Sequence, residues 1–136
     1  MAIEFDLVAP GTRVTSNADG APVDVSGSQT RTFLCVMHIT DQIEQESLDV
    51  SIFGSDDGQA WPNKPILKLQ QRFYQGETRM VLDLTTRPEV KFIRARWELN
   101  RWGRVAPAPM FVFGLHLSEV PAMSADKSRQ KETVRA

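Results

Sequence analysis

The chain has 136 residues with a single cysteine, and 41% of the residues are hydrophobic while 24% are charged. These values are typical of one globular domain. They exclude an internal disulfide, which needs two cysteines, and no apolar stretch has the length that spans a bilayer. The N-terminus lacks the basic start and apolar centre of a secretory signal, so we expect no signal peptide.

The net charge of −1 is spread unevenly along the chain. Residues 1–60 carry 10 acidic and 2 basic side chains, whereas residues 61–136 carry 7 acidic and 14 basic side chains. Two interpretations are open. The halves interleave in one domain and partly neutralise each other, or the surface is bipolar and favours head-to-tail contact between copies.

The alternation of apolar and polar residues predicts short β-strands and no long helix. Residues 4–8 form a first short strand, and the turn-rich segment 11–27 is either a loose arm or two brief edge strands. Further strands are predicted at residues 31–40, 47–54, 65–70, 78–84, 91–99 and 110–117. Residues 31–40 are apolar on both faces, which is typical of a central strand or of one that a partner covers.

Side chains that alternate with polar neighbours are expected to face the core. In the clearest strands these are Phe33, Cys35, Met37, Ile39, Leu48, Val50, Ile52, Ile93, Ala95, Trp97, Leu99, Phe111, Phe113, Leu115 and Leu117. Cys35 is therefore interpreted as a small buried hydrophobe and not as a catalytic thiol. Trp61 is also expected in the core.

Seven to nine short strands with turn signals between them predict an all-β fold, a single-domain β-sandwich of jelly-roll-like form. Residues 1–29 form an N-terminal arm or edge strands, and residues 30–118 form the sandwich core. Residues 119–136 form a polar C-terminal tail. Because residues 122–136 have no core pattern, we expect another protein chain to hold any ordered form of this segment.

The Asp-Gly dipeptide after the strand at residues 47–54 predicts a structural turn. Its residues are Asp56, Asp57, Gly58 and Trp61. A calcium site at these carboxylates is the alternative, but the EF-hand pattern is absent.

No metal or cofactor is predicted anywhere in the chain. Glu44, Glu46 and Asp49 form the strongest acidic cluster, within the loop at residues 41–49. This cluster is interpreted as a solvated loop or as the mate of a basic surface, with calcium as a third alternative. His38 and His116 have no further ligand at the short spacing that metal sites show.

A basic and aromatic patch is the best candidate for partner binding. It consists of Arg94, Arg96, Arg101, Trp102 and Arg104. Arginine and tryptophan are over-represented at interface hot spots, and they also grip phosphates and stack on bases. The structural alternative is that Arg94 and Arg96 pair with acids on neighbouring strands. Nucleic acid is disfavoured because the chain as a whole is not basic.

Two families share features with these blocks of sequence. The run from Leu48 to Trp61, followed by Glu89 to Arg96 and Phe111 to Leu117, resembles the second half of discoidin-type, galactose-binding-like jelly rolls. Those domains have a similar Ser-x-Asp-Gly-x-x-Trp turn and a similar arginine-bearing strand. The resemblance covers about half of the chain and implies a carbohydrate-binding module.

Ser55 to Trp61, Arg94 to Trp97 and Pro109 to Phe113 also look like units of small β-sandwich structural proteins of tailed phages and related particles. This second resemblance spans residues 30–117 and implies a capsid-, tail- or shell-associated role. The connection at residues 73–79 and the loop at residues 100–104 depart from that pattern, so no partner surface is carried over.

No nucleophile–base pair is visible at recognisable spacing, so we expect no enzymatic activity. The predicted function is a non-enzymatic structural or decoration subunit of a larger, virion- or shell-like assembly that binds neighbouring protein chains. The alternative is a discoidin-like carbohydrate-binding module whose partner is a glycan, and a third reading is an adaptor that binds only protein. The expected location is a virion or a cytoplasmic assembly.

Overall fold

The computed structural model describes residues 2–43, 45–102 and 109–121, which contain nine β-strands and no helix. In chain order the strands are β1 (Glu4–Val14), β2 (Ala18–Asp19), β3 (Val23–Asp24), β4 (Thr32–Gln42), β5 (Glu46–Ser55), β6 (Leu67–Lys68), β7 (Gly76–Asp83), β8 (Phe92–Arg101) and β9 (Phe111–Glu119). Within the residues described, there is no helix of the length and apolar character that crossing a membrane requires.

The strands form two antiparallel sheets that pack face to face. The first sheet has the strand order β1-β9-β4-β7. The second has the order β2-β8-β5-β6, and β3 also pairs with β8. The predicted all-β sandwich is therefore confirmed. The chain crosses repeatedly between the sheets, so residues far apart in sequence meet at the sandwich ends.

The core lies between the sheets and is filled by the side chains that the alternation assigned to it. Phe33, Cys35, Met37, Ile39, Leu48, Val50, Ile52, Ile93, Ala95, Phe111, Phe113, Leu115 and Leu117 have almost no exposed surface. Trp97 and Leu99 also lie in this core, and the ring of Trp97 meets that of Phe113 edge to face at 5.8 Å. Alternation predicted these faces correctly because side chains of a strand point to opposite faces in turn.

β4 is a central strand of the first sheet. It pairs with β9 on one side and with β7 on the other, as the first of the two interpretations expected. Its outward apolar side chains, Leu34 and Val36, are only half-buried. Burial of Cys35 on the core face raises the pKa of its thiol to about 12. The thiol therefore stays protonated and behaves as a hydrophobic side chain.

Two expectations for residues 61–70 are wrong. The strand expected at residues 65–70 is reduced to Leu67–Lys68 (β6), although the backbone amides of Ile66 and Leu69 also donate to β5. Pro62 and Pro65 lie beside it, and proline provides no amide for a ladder. Trp61 is only half-buried and lies outside the core, against the side chain of Arg94 on the outer face of the second sheet.

A buried carboxylate ties together three distant parts of the chain. Glu119, the last residue of β9, accepts hydrogen bonds from the backbone amides of Gln29 and Thr30, both at 2.8 Å, and from the Ser28 hydroxyl at 2.7 Å. Its other oxygen accepts the amide of Ile3 at 2.9 Å. The side chain is 4% exposed, and these donors hold its pKa down at about 2, against the opposing effect of burial. We call this arrangement the Glu119 clamp.

A histidine fixes the start of β1 to β9 on the outer face of the first sheet. His116 Nδ1 lies 2.8 Å from a carboxylate oxygen of Asp6, and its Nε2 lies 2.7 Å from one of Glu4. A ring that faces an acceptor at both nitrogens is best satisfied as imidazolium, because neutral imidazole has one N–H. Accordingly, the hydrogen bonds to Asp6 and then Glu4 raise the pKa of His116.

Candidate functional site

Three aromatic side chains lie exposed and in contact at one end of the sandwich. Phe73, Tyr74 and Trp102 are 40%, 63% and 58% exposed. The rings of Phe73 and Trp102 meet edge to face with centroids 6.1 Å apart, and those of Phe73 and Tyr74 are 6.5 Å apart. We call these residues the aromatic end cluster.

Main-chain hydrogen bonds hold both segments that carry this cluster. The amide of Trp102 donates to the carbonyl of Gln45 at 3.0 Å. Arg72, which precedes the other two aromatics, exchanges hydrogen bonds of 2.8 and 3.0 Å with Leu48 of β5. Gln75, which follows them, donates its amide to the side chain of Gln42 at 3.0 Å. The backbone beneath the cluster is therefore fixed before any ligand arrives.

The polar wall of the cluster is formed by Gln45 and Glu46. Together with the aromatic rings they line a small groove of about 130 Å³. The carboxylate of Glu46 is buried and accepts the amides of Ile43 at 2.9 Å and Met110 at 2.8 Å. Its oxygens thus join β5 to the start of β9.

The predicted acidic cluster does not lie together as one surface. Glu46 is buried, while Asp49 lies on the outer side of β5 and accepts the side-chain amide of Gln71 at 3.0 Å. Glu44 lies outside the described residues. Across the three described ranges, no group of three histidine, cysteine, aspartate or glutamate side chains is arranged to hold a metal ion.

The predicted basic patch separates into two parts. Arg94 and Arg96 lie on the outer face of the second sheet, while Arg101 and Trp102 lie at the end of β8. At a rise of about 3.3 Å per residue, roughly 26 Å of strand separates Arg94 from Trp102. Arg104 lies outside the described residues.

Arg94 and Arg96 both contact groups within the domain. Arg96 Nε lies 2.7 Å from one oxygen of Asp19 on β2, and Arg94 Nη2 lies 3.6 Å from the other. The hydrogen bond from Arg96 lowers the pKa of Asp19. The guanidinium of Arg94 also stacks 4.3 Å above the ring of Trp61, and that of Arg96 stacks 4.6 Å above Phe53. This arrangement fixes both arginines against the sheet.

The turn at residues 55–60 is organised by Ser55 and Asp57. One oxygen of Asp57 accepts the amides of Gln59 at 2.8 Å and Ala60 at 3.0 Å. The Ser55 hydroxyl accepts the amide of Gly58 and donates to the carbonyl of Ala60 at 2.6 Å. Gly58 has a φ of 76°, a conformation that glycine adopts without steric cost. Asp56 and Trp61 instead line an open groove of about 420 Å³.

Sequence reasoning missed Phe73 and Tyr74. The signal that could have identified them is a pair of adjacent aromatic residues in the otherwise polar segment from Gln70 to Gln75. This segment connects two predicted strands, and its aromatic residues do not continue the apolar–polar alternation of either strand. The alternation pattern therefore does not predict that these aromatic residues are buried in the core. Their meeting with Trp102 depends on the pairing of β5 with β8, which sequence alone did not specify.

Comparison with protein-family models and with curated proteins finds no match. Among solved structures, the chain is similar to one in the structure of infectious bursal disease virus, Gx strain. The TM-score is 0.41 and the sequence identity is 10%, over 87% of this chain and 31% of that chain. The protein thus spans less than a third of that chain's length.

Proposed function

We propose that this protein is a non-enzymatic structural or decoration subunit of a larger, virion- or shell-like protein assembly. In this proposal the aromatic end cluster docks on a neighbouring protein chain. The observation that carries the proposal is the joint exposure of Phe73, Tyr74 and Trp102 on one fixed surface. Large apolar groups that are contiguous and exposed are typical of interaction sites.

Burial of this cluster would supply substantial binding energy. Fully burying a large apolar side chain contributes about 1.5–3 kcal/mol, and each of these side chains still has 40–63% of its surface to bury. Aromatic residues are also enriched at the centres of interfaces. Three such groups in contact therefore suit the centre of a docking surface, where a neighbour excludes water.

The fixed backbone lowers the cost of binding. The hydrogen bonds of Trp102 to Gln45 and of Arg72 to Leu48 hold the two segments in place. A surface ordered in advance loses less conformational entropy when it binds. This supports docking of a preformed surface more than folding of a loop upon contact.

The predicted partner-binding arginines have different places in this proposal. Arg101 directly precedes Trp102, but its Nε and Nη2 are buried without a hydrogen-bond partner among the described residues, so it is assigned to the base of the docking surface. Arg104 lies outside the described residues and keeps its predicted part in binding without an assigned position. Arg94 and Arg96 contact Asp19 and two aromatic rings within their own domain. They are therefore assigned a secondary role in binding.

Copurification of the tagged chain from its native source tests the proposal. The double variant Tyr74→Ala, Trp102→Ala should lose a stoichiometric protein partner that the unmodified chain retains. Val81→Ala is the matched control, because Val81 is 56% exposed but lies on β7, outside the cluster. If the double variant folds and retains its partner as the control does, the docking surface lies elsewhere.

A second candidate function is carbohydrate binding, as in a discoidin-like module. The observation that favours it lies on the second sheet, away from the end cluster. There the half-buried indole of Trp61 lines an open groove beside charged side chains.

A further inference from the structure

The groove beside Trp61 combines an aromatic wall, an apolar floor and a charged rim. Its volume is about 420 Å³, which is within the range of small-molecule sites. The residues that matter for its chemistry are Gly54, Asp56, Trp61, Arg87, Glu89 and Val90.

The indole of Trp61 is held in place from one side. The guanidinium of Arg94 lies 4.3 Å from the ring centroid, and Asp19 lies 3.6 Å from that guanidinium in turn. One face of the ring is therefore occupied by a cation within the domain. An aromatic wall held in this way needs little reordering to receive a ligand.

Asp56 is left available by the structure of the turn. Asp57 accepts the two backbone amides that close the turn, whereas Asp56 has no such contact within the described residues. Asp56 is exposed and lines the groove. The turn therefore needs only one of the two carboxylates, and the other faces the cavity.

The opposite rim is formed by an ion pair. Arg87 Nε lies 2.9 Å from Glu89 Oε2, and both side chains are largely exposed. The hydrogen bond from Arg87 lowers the pKa of Glu89, and the carboxylate is charged at neutral pH. The pair presents a hydrogen-bond donor and an acceptor side by side.

Gly54 and Val90 give the groove an apolar part of its lining. The two residues pack closely, because a Cβ added to Gly54 would lie 2.9 Å from Val90 Cγ1 and 3.1 Å from Ile66 Cδ1. A ligand would thus rest on aliphatic carbon, with Trp61 at its side and hydrogen-bonding groups at the rim.

We propose that this groove binds a neutral pyranose sugar. An anionic ligand is disfavoured because Asp56 and Glu89 line the same space. The attraction of the groove for a cation is lowered because Arg87 pairs with Glu89 and Arg94 already lies over one face of the indole. A neutral sugar has an apolar face that can pack on Trp61. Its hydroxyls can donate to the two carboxylates and accept from Arg87.

This inference rests on the second candidate function and is independent of docking through the end cluster. The test is a titration of the full chain, followed by NMR chemical shifts, with the methyl glycosides of glucose, galactose, mannose and N-acetylglucosamine. We expect at least one glycoside to bind with a dissociation constant of about 10 mM or below. Trp61→Ala should weaken that binding at least about tenfold, which corresponds to about 1.4 kcal/mol of lost contact.

A second variant and two charged probes keep the test decisive. Asp56→Asn removes no contact of the turn, so it should fold normally and still weaken glycoside binding several-fold. Trp102→Ala is the control and should bind the glycoside as the unmodified chain does. Absence of binding by all four glycosides, or preferential binding of choline or glucuronate, would overturn the proposal. Either result leaves the copurification experiment with Tyr74 and Trp102 unaffected, so the two proposals fail separately.

Discussion

Glu119→Gln is expected to destabilise the sandwich strongly although it changes only one atom. The carboxylate accepts the amide of Ile3 on one oxygen, and on the other it accepts the Ser28 hydroxyl and the amides of Gln29 and Thr30. The Thr30 hydroxyl lies 3.1 Å from this second oxygen but only 2.7 Å from the carbonyl of Val120, so its single proton goes to that carbonyl. Glu119 thus accepts four hydrogen bonds, one on the first oxygen and three on the second.

A glutamine amide cannot match this set of donors. Its oxygen can replace the carboxylate oxygen that accepts three hydrogen bonds, but its NH₂ group then faces the N–H of Ile3. Each buried polar group left unsatisfied costs about 1–3 kcal/mol. The remaining bonds also lose the strength that an ionised acceptor provides. We therefore expect Glu119→Gln to lower the free energy of unfolding by about 2–4 kcal/mol.

Urea unfolding at pH 7, followed by tryptophan fluorescence, measures this change. The matched control is Glu77→Gln, because Glu77 is exposed and has only a surface ion pair with Arg79. The control should change the free energy of unfolding by less than about 1 kcal/mol. If Glu119→Gln is as stable as this control, the four donors do not surround a carboxylate and the clamp is wrong.

The same variant should change the response of the protein to acid. The donors lower the pKa of Glu119 from its ordinary value of 4.5 to about 2. The stabilisation is therefore fully present above pH 4.5 and is lost as the pH falls towards 2. Between these values the stability of the unmodified protein should fall more steeply than that of Glu119→Gln.

Three further predictions concern other parts of the sandwich. Trp97→Ala should lower the free energy of unfolding by about 3–5 kcal/mol, because it empties an aromatic core site. Urea unfolding measures this change, and an unchanged urea midpoint would contradict the register of β8. Gly114→Ala should also destabilise, since its Cβ would lie 2.7 Å from the backbone of Pro10, and a thermal melt that matches the unmodified chain would refute that close approach. His116 has a raised pKa, so its stabilisation is present below its ordinary value of 6.5 and is lost as the pH rises through the raised value. Urea midpoints should therefore fall towards alkaline pH in the unmodified protein and stay flatter in His116→Gln, with a small amplitude because the ring is half-exposed.

The architecture and the core faces were predictable because they depend on local alternation. In both β8 and β9, four successive inward-facing residues are apolar, at every second position from Ile93 to Leu99 and from Phe111 to Leu117. A shift of one residue would bury Arg94 and Arg96 and expose Trp97, so the register follows from the sequence. Trp61 was misassigned because it follows the strand and belongs to no alternating run.

The contacts between distant segments were not predictable from local pattern. Asp19 lies 77 residues from Arg96, and Glu119 lies 90 residues from Gln29 and 116 residues from Ile3. The pairing of β2 with β8, and of β9 with β1 and β4, creates these contacts. The aromatic end cluster depends on tertiary structure in the same way, because the Phe73 segment and Trp102 meet only through β5.

The most direct test of the proposed docking surface is a site-specific crosslink. A photo-reactive phenylalanine analogue would replace Tyr74 in the full chain produced in its native source, with the same analogue at Val81 as the control position. Both positions are well exposed, but only the first lies in the aromatic end cluster. We predict that position 74 gives a discrete adduct with one protein chain, another copy or a neighbour in the assembly, and that position 81 does not. Equal labelling at the two positions, or no protein adduct at position 74, would contradict the proposed docking surface.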